Sequence, residues 1–315
     1  MTAAWWGVLI AFAGALAYAS GAAIQQLEAV ELGATAKLMR RPRWWLGGAI
    51  SFAGACMHAV ALSMAPLTII QPVSVTTLVF AVPLAAKLHN RRPRAAEIWG
   101  SLAVSVGLGG LMVLVPVHHS TPSLPDLTAV ALLAGVLGFI VVTQLLSRRL
   151  TGPGKAALLA CSAGIATGTV STFVRLVGSG LQSDLSTLLH WFTIVIPAML
   201  IVATILLQKS YAVGYFGIAY AVTQVSDPIA SVLADAGLLG EPLPTDPSLI
   251  APAVVAAFLL IGGTVLLGRN APDLAHKTEP ATEPETTTED AGSILSEPVE
   301  LNPRPLRNPV STRRD

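Results

Sequence analysis

Asp227 has the clearest potential for chemistry, because this carboxylate stands near the middle of a long apolar run. A carboxylate at the centre of a bilayer costs several kcal/mol unless it is paired, solvated or protonated. Pro228 follows it and cannot donate the amide hydrogen bond that would reach the Gln224 carbonyl one turn earlier. A carboxylate beside a free carbonyl is typical of a cation or proton site. The alternative is a structural carboxylate paired with a neighbouring helix.

A second proline-containing pair, Gln71-Pro72, lies in the first half of the chain. Pro72 frees the Thr68 carbonyl in the same way, and both prolines are predicted helix breaks. The Gln71 amide can donate and accept hydrogen bonds, which suits the orientation of a polar substrate. A broken helix that only packs is an equal alternative. The nearby polar residues are individually expected to hydrogen bond to their own helix backbone: Ser74, Thr76, Thr77, Gln224 and Ser226.

Three other ionisable side chains stand within or beside apolar runs. Arg175 could pair with Asp227 or bind an anionic group, and snorkelling to the interface explains it equally well. His58 titrates near neutral pH and could carry a proton, although a satisfied interior histidine is the simpler interpretation. Glu28, at the end of the first run, is expected at the interface. These residues define no metal-ligand set, so a metal site stays unassigned.

The elements that must position these residues are apolar runs. The chain is 53% hydrophobic and 12% charged, whereas an ordinary soluble domain is about 25% charged. Each run is near the ~20 residues that cross a bilayer as a helix. We predict about nine spans, at residues 3–25, 44–64, 67–87, 98–117, 127–147, 156–180, 188–208, 213–236 and 249–268.

The positions of the basic residues predict the orientation of these spans. Of the 19 lysines and arginines, all but Arg175 fall in alternate gaps between the runs or in the C-terminal segment. Basic loops mark the cytoplasmic face of a membrane protein. The pattern therefore predicts a multi-pass protein of the plasma (inner) membrane, with the N-terminus outside and the C-terminus cytoplasmic.

Paired motifs five spans apart predict an internal repeat. An odd offset reverses the orientation in the membrane, so the repeat is inverted, as in many transporters. The pairs are Ser20-Gly21 with Thr167-Gly168, Gln71-Pro72 with Asp227-Pro228, and Gly109-Gly110 with Gly262-Gly263.

The predicted fold is an all-α polytopic membrane protein in a four-plus-one-plus-four arrangement. Within a transmembrane domain of residues 1–269, repeat one spans 3–117, a connecting span covers 127–147 and repeat two spans 156–268. Residues 270–315 are rich in Thr, Glu and Pro. Such a segment has too few apolar residues to offset the entropy of ordering, so we expect a disordered cytoplasmic tail.

Two segments resemble the drug/metabolite transporter superfamily (EamA-like). They are residues 61–84, with Ala65-Pro66 and Gln71-Pro72, and residues 226–241, which begin Ser226-Asp227-Pro228. The chain is most similar to an actinobacterial branch close to the NIPA-type magnesium transporters. The resemblance covers nearly all of residues 3–268 and implies an inverted-repeat secondary carrier without an ATPase.

One departure from the NIPA-type pattern bears on the transported substrate. By this resemblance, NIPA-type proteins carry the motif Gly-Glu-x-x-Asn in their second span. The matching positions in this chain are Gly54, Ala55 and His58, so alanine replaces the glutamate. A hard divalent cation prefers carboxylate oxygens. The missing acid therefore weakens a magnesium interpretation.

The expected function is secondary transport of a small organic metabolite or drug across the plasma membrane by alternating access. Proton coupling through Asp227 is a further hypothesis. The alternatives are a magnesium or other divalent cation transporter and a non-transporting membrane scaffold. Walker, HExxH and GxSxG motifs are absent from the sequence, so we expect neither an enzyme nor a cofactor. The expected partners are a small-molecule substrate and the lipid bilayer but no nucleic acid, and a homodimer is left open.

Overall fold

A computed structural model of the protein describes residues 2–114, 124–181, 185–238, 246–272 and 274. The described residues belong to one compact unit, Met1–Thr278. The structure does not describe residues 275–315. The disordered tail expected over residues 270–315 therefore stays a prediction.

The described residues form ten α-helices and three short 3₁₀ turns. The turns are Leu38–Arg40, Leu185–Leu189 and Pro247–Leu249. The α-helices are α1 (Thr2–Leu32), α2 (Pro42–Met64), α3 (Leu67–Val75), α4 (Thr77–Leu88), α5 (Ala95–Leu114), α6 (Asp126–Ser147), α7 (Gly152–Leu181), α8 (Phe192–Ala212), α9 (Phe216–Leu238) and α10 (Ile250–Asn270).

In the described part of the chain, eight helical segments are long and apolar enough to cross a membrane. They are α1, α2, the α3–α4 pair, α5, α6, α7, α8 and α10 with its preceding turn. The 23 residues of α9 would span about 35 Å, but its polar side chains, among them Gln224 and Asp227, make it less apolar than the others. The prediction of an all-helical multi-pass membrane protein is confirmed at this level.

The predicted third span is divided into two helices. The Thr76 amide bonds to the Val73 carbonyl (3.1 Å), which tightens the backbone where α3 ends. Pro72 lies inside α3, one turn before this break. Hydroxyl groups occupy the nearby carbonyls, with Ser74 bonded to Gln71 O, Thr76 to Val73 O, Thr77 to Ser74 O and Ser105 of α5 to Val75 O. The expected backbone bonds of Ser74, Thr76 and Thr77 are therefore confirmed.

Helix α1 continues past the predicted end of the first span at residue 25 and reaches Leu32. This extension carries Glu28 within the packed part of the bundle. Its carboxylate is only 1% exposed, so neighbouring side chains and helices cover Glu28, while its depth in a membrane stays a prediction. The apolar run marks only the lipid-covered part of a helix. It does not show where α1 ends, because neighbouring helices cover its last turns.

The helix ends that flank the basic loops meet at one end of the bundle, which we call the basic end. It comprises the C-terminal ends of α1, α4, α6, α8 and α10 and the starts of α2, α5, α7 and α9. Its hydrogen bonds include Arg94 Nη1 to Asn270 O (3.0 Å), Ser210 Oγ to Ala156 O (2.8 Å), Lys209 Nζ to Gln144 Oε1 (3.1 Å) and His89 Nε2 to Gln26 Oε1 (2.9 Å). Which side of a membrane this end faces remains a prediction.

The helices pack in a pattern that is similar in the two parts of the chain. Helix α1 packs along α2 and along the α3–α4 pair, and α7 packs along α8 and α9. Helices α5 and α10 pack extensively against each other, and α4 meets α9. Helix α6 packs against α7.

Glycine allows the close approach of α5 and α10. A Cβ atom added to Gly263 would lie 2.7 Å from the Gly100 carbonyl oxygen and 2.8 Å from the backbone nitrogen of Val104. A Cβ atom added to Gly107 would lie 2.6 Å from the Ala256 carbonyl oxygen. The second glycine of the predicted repeat motif is thus a packing residue, whereas a Cβ atom on Gly262 would meet nothing within 4 Å.

Gly263→Ala should destabilise the protein by about 1–3 kcal/mol, because the added methyl group forces the α5 and α10 backbones apart. Gly262→Ala is the matched control and should be neutral or slightly stabilising, since alanine favours helix. Thermal unfolding of both purified variants in detergent measures the difference. Equal melting temperatures would show that the two helices do not need this contact.

Candidate functional site

The candidate site begins where α9 crosses α4. Gln224 Nε2 of α9 donates a hydrogen bond to Thr77 Oγ1 of α4 at 3.2 Å. Gly217, which precedes Gln224 in α9, lies beside Val82, which follows Thr77 in α4. The two helices therefore run antiparallel. The prediction that Gln224 bonds to its own backbone is wrong, because the start of α4 brings a hydroxyl group within its reach.

Helix α7 fixes the position of α9 through two glycines. A Cβ atom on Gly164 would lie 2.6 Å from the Ser226 Cβ atom, and one on Gly168 would lie 2.6 Å from the Asp227 carbonyl oxygen. The Ser231 hydroxyl donates to the Asp227 carbonyl (3.1 Å). Helix α9 is continuous through Pro228, so the predicted helix break at this proline is wrong, because packing against α7 holds the helix on both sides of it. The backbone that carries Asp227 is therefore held against α7, while its side chain is free to project elsewhere.

Asp227 and Tyr18 face the same space between α9 and α1. The Asp227 side chain is half-buried and close enough to Tyr18 to interact with it electrostatically. Tyr18 lies midway along α1, yet it is 39% exposed. Helices α1 and α9 do not pack closely against each other. A half-buried carboxylate and an exposed phenol thus lie near each other on two helices that do not pack closely.

Two further tyrosines extend the polar site toward α8 and the start of α9. Tyr211 and Tyr220 are buried, and both lie within electrostatic range of Tyr18. The Tyr220 hydroxyl points toward Thr77 but has no well-aligned hydrogen-bond partner among the described residues. A buried tyrosine hydroxyl usually has a partner. This one is therefore available to a water molecule or a bound solute.

Gln71 and Asp227 lie on the same side of the Gln224–Thr77 contact. The helices are antiparallel, so residues that precede Thr77 and residues that follow Gln224 extend in one direction. Asp227 is about 4.5 Å and Gln71 roughly 9 Å beyond the contact along their helices. Both side chains are half-buried. The two predicted site residues thus belong to one region of the bundle.

Arg175 lies away from this region. Gly168 of α7 lies beside the Asp227 backbone, and α7 and α9 run parallel. Arg175 is seven residues beyond Gly168, or about 10 Å further along α7. Within the described parts of the chain, no lysine or arginine is within ion-pair distance of Asp227. Of the alternatives for Arg175, pairing with Asp227 is not observed.

His58 lies on α2 at the contact with α1. Its backbone nitrogen lies beside Gly14, and Gly54 of the same helix lies against the Tyr18 backbone. The ring is half-buried. His58 therefore lies at the α1–α2 contact, about one helical turn from the level of Tyr18.

Tyr18 is the main site residue that the sequence reasoning missed. The chain has only four tyrosines, and tyrosine in membrane proteins is enriched at the interfaces rather than at mid-span. Its place in the middle of the first apolar run was the available signal.

An apolar cavity of about 590 Å³ lies on the opposite face of the α3–α4 pair. Helices α5 and α10 complete its lining. Pro72, Thr76, Ser105 and Pro252 border it, and its walls are otherwise mostly aliphatic. Asp227 is not among its lining residues, so the cavity is separate from the polar site.

Fold and site together define an all-helical multi-pass membrane protein with a polar site among its helices. No protein-family model matches the chain, and no solved structure matches it. An uncharacterized protein of Corynebacterium glutamicum is 26% identical over 251 residues, which cover 74% of this chain and 84% of the relative. The match therefore extends over most of both chains and assigns no activity.

Proposed function

We propose that this protein is a secondary transporter of the drug/metabolite transporter type, which moves a small organic metabolite or drug across the plasma membrane by alternating access. The observation that carries the proposal is that Asp227 of α9 lies near the exposed Tyr18 of α1, on two helices that do not pack closely. Ionisable residues within membrane spans usually face a cavity and mark a substrate or ion pathway. Transport requires no catalytic residue and no cofactor.

The helix packing supports a repeat of four, one and four spans. In each half, the first helix packs along the second and the third: α1 along α2 and α3–α4, and α7 along α8 and α9. The third helices of the two halves cross at Gln224 and Thr77, and the fourth helices, α5 and α10, pair with each other. In this arrangement α9 is the eighth of nine spans and α6 is the connecting one. Inverted repeats place the substrate site at their interface near the membrane midplane.

The same geometry suggests how access would alternate. Tyr18 belongs to the first half and Asp227 to the second, so rocking of one half against the other changes the distance between them. The Gln224–Thr77 hydrogen bond joins the halves and would be made or broken as they move. Basic loops favour a cytoplasmic basic end, with the N-terminus outside.

A divalent cation is less well supported as the transported substrate. Within the described residues, no group of three or more histidine, cysteine or acidic side chains could hold a metal ion. Asp227 supplies a single carboxylate, whereas Mg²⁺ and Ca²⁺ prefer several oxygen ligands.

A metabolite comparison tests the proposal. Cells that express the protein should differ from cells that lack it in the ratio of external to internal concentration of at least one organic solute. Rescue of a host deficient in magnesium uptake, without any solute difference, would instead favour the divalent cation alternative. Absence of both effects at normal abundance would support a non-transporting scaffold.

A further inference from the structure

A stripe of polar side chains runs along α1 from the candidate site to the basic end. Tyr18, Gln25 and Glu28 are seven and three residues apart, so they share one face of the helix. Ser51 of α2 lies against Gly21 on the same face. Tyr18 and Glu28 are about 15 Å apart along the helix axis, which is half the thickness of a bilayer core.

Glu28, the last residue of this stripe, has an unusual environment for a carboxylate. It is 1% exposed, and neither of its oxygens accepts a hydrogen bond from a described residue. Its neighbour is Arg43 at the start of α2, whose Nε atom is 3.4 Å from Glu28 Oε1. The Arg43 side chain is 59% exposed. The carboxylate thus has one counter-ion, which can leave toward solvent without unfolding a helix.

Two other titratable groups at the basic end, His89 and Lys209, hydrogen bond to glutamines rather than to Glu28. His89, which follows α4, hydrogen bonds to Gln26. Burial, and to a smaller extent the nearby Arg91 guanidinium, lowers the pKa of His89. Lys209 of α8 bonds Gln144. Within the described residues, Arg43 is the only cation within ion-pair distance of Glu28.

Amide groups of α1 and α8 continue the polar stripe between Tyr18 and Glu28. Gln208 Nε2 of α8 approaches Gln25 Oε1 at 3.5 Å. Gln208 Oε1 and Gln26 Nε2 are buried without a partner among the described residues. Buried polar atoms of this kind are commonly satisfied by internal water. Water and hydroxyl groups can relay a proton along such a row.

We propose that Glu28 is a second proton-binding carboxylate, which exchanges protons with Asp227 along the polar face of α1 and with solvent at the basic end. A proton that leaves the Asp227 carboxyl group passes through water and hydroxyl groups to a Glu28 oxygen. The new O–H bond neutralises Glu28 and releases Arg43, and loss of the proton to solvent restores the ion pair. The role of Asp227 as the proton source rests on the proposed function, whereas proton binding by Glu28 does not.

Infrared difference spectroscopy of the reconstituted protein tests this inference. Titration with acid should produce a carbonyl band of a protonated carboxylic acid that Glu28→Gln removes. Glu31→Gln is the matched control, because Glu31 lies on the same helix but is exposed. Arg43→Gln leaves Glu28 in place and should move the band's midpoint to higher pH, because the cation that favours the ionised form is gone.

Two results would overturn the inference. One is a band that is identical in the wild-type protein and in a folded Glu28→Gln variant, and the other is a midpoint that Arg43→Gln leaves unchanged. If Glu28→Gln does not fold, the Arg43→Gln titration decides alone. A solute difference that depends on Asp227 but not on Glu28, with no Glu28 band, would leave the transporter assignment standing and remove this inference only.

Discussion

Cells that express Asp227→Asn should lose the solute difference that the wild-type protein produces, with transport reduced at least about tenfold. A tenfold loss corresponds to only about 1.4 kcal/mol. This is less than the several kcal/mol that it costs to keep a charged carboxylate within the membrane. Asparagine keeps the size of the side chain but cannot carry charge or exchange a proton. The variant should still fold, because the Asp227 backbone is held against Gly168 of α7 whatever its side chain.

The comparison needs a carboxylate that lies outside the helix bundle. Asp246 is exposed and caps the turn before α10 by accepting a hydrogen bond from the Ser248 amide (2.9 Å). This bond keeps the pKa of Asp246 below its ordinary value. Asp246→Asn should transport the solute like the wild-type protein. Wild-type transport by Asp227→Asn at equal abundance would mean that this carboxylate is structural.

Glu97→Ala should lower the free energy of unfolding by about 3–5 kcal/mol, because it leaves a largely buried guanidinium without its partner. Glu97 is 2% exposed. Its two oxygens accept hydrogen bonds from Arg91 Nη1 (2.7 Å) and Nη2 (2.8 Å), and the Arg94 amide also donates to Oε2 (2.8 Å). The residue thus ties the loop after α4 to the first turn of α5, at the basic end.

An exposed aspartate–histidine contact in the same chain serves as the control for Glu97. Asp126 Oδ1 is 3.4 Å from His190 Nε2, and both side chains are substantially exposed. Asp126→Ala should cost no more than about 1 kcal/mol. Unfolding of both variants in detergent measures the difference. A cost for Glu97→Ala as small as that for Asp126→Ala would show that solvent reaches Arg91.

The sequence predicts which residues lie in the membrane better than it predicts which of them meet. Apolar runs near 20 residues reveal helices because length and hydrophobicity are local properties. Asp227 stands out for the same reason. Tyr18 and Asp227 are on different helices, and their approach depends on the rotation of α1 and on the gap between α1 and α9. No local pattern in the chain encodes that gap.

Arg175 and Glu28 illustrate the same limit from opposite directions. Both stand within or beside apolar runs, and the repeat offset places them in corresponding spans. Yet α7 runs parallel to α9 and carries Arg175 beyond Asp227, whereas the extension of α1 buries Glu28 next to Arg43. The depth of each side chain is set by helix length and neighbours, which periodicity does not specify. The division of the third span has a local cause. Pro72 and the three hydroxyl residues that bond to nearby carbonyls lie at the division itself.

Cysteine labelling at Tyr18 tests alternating access most directly. Cys56 and Cys161 are first replaced with alanine, and Tyr18→Cys is then treated with a membrane-impermeant thiol reagent in sealed vesicles of either orientation. Ala19→Cys is the adjacent control, because Ala19 is fully buried and should remain unlabelled. Alternating access predicts that Tyr18→Cys is labelled from both faces of the membrane. Labelling from one face only, or from neither, would contradict a site that opens in turn to each side.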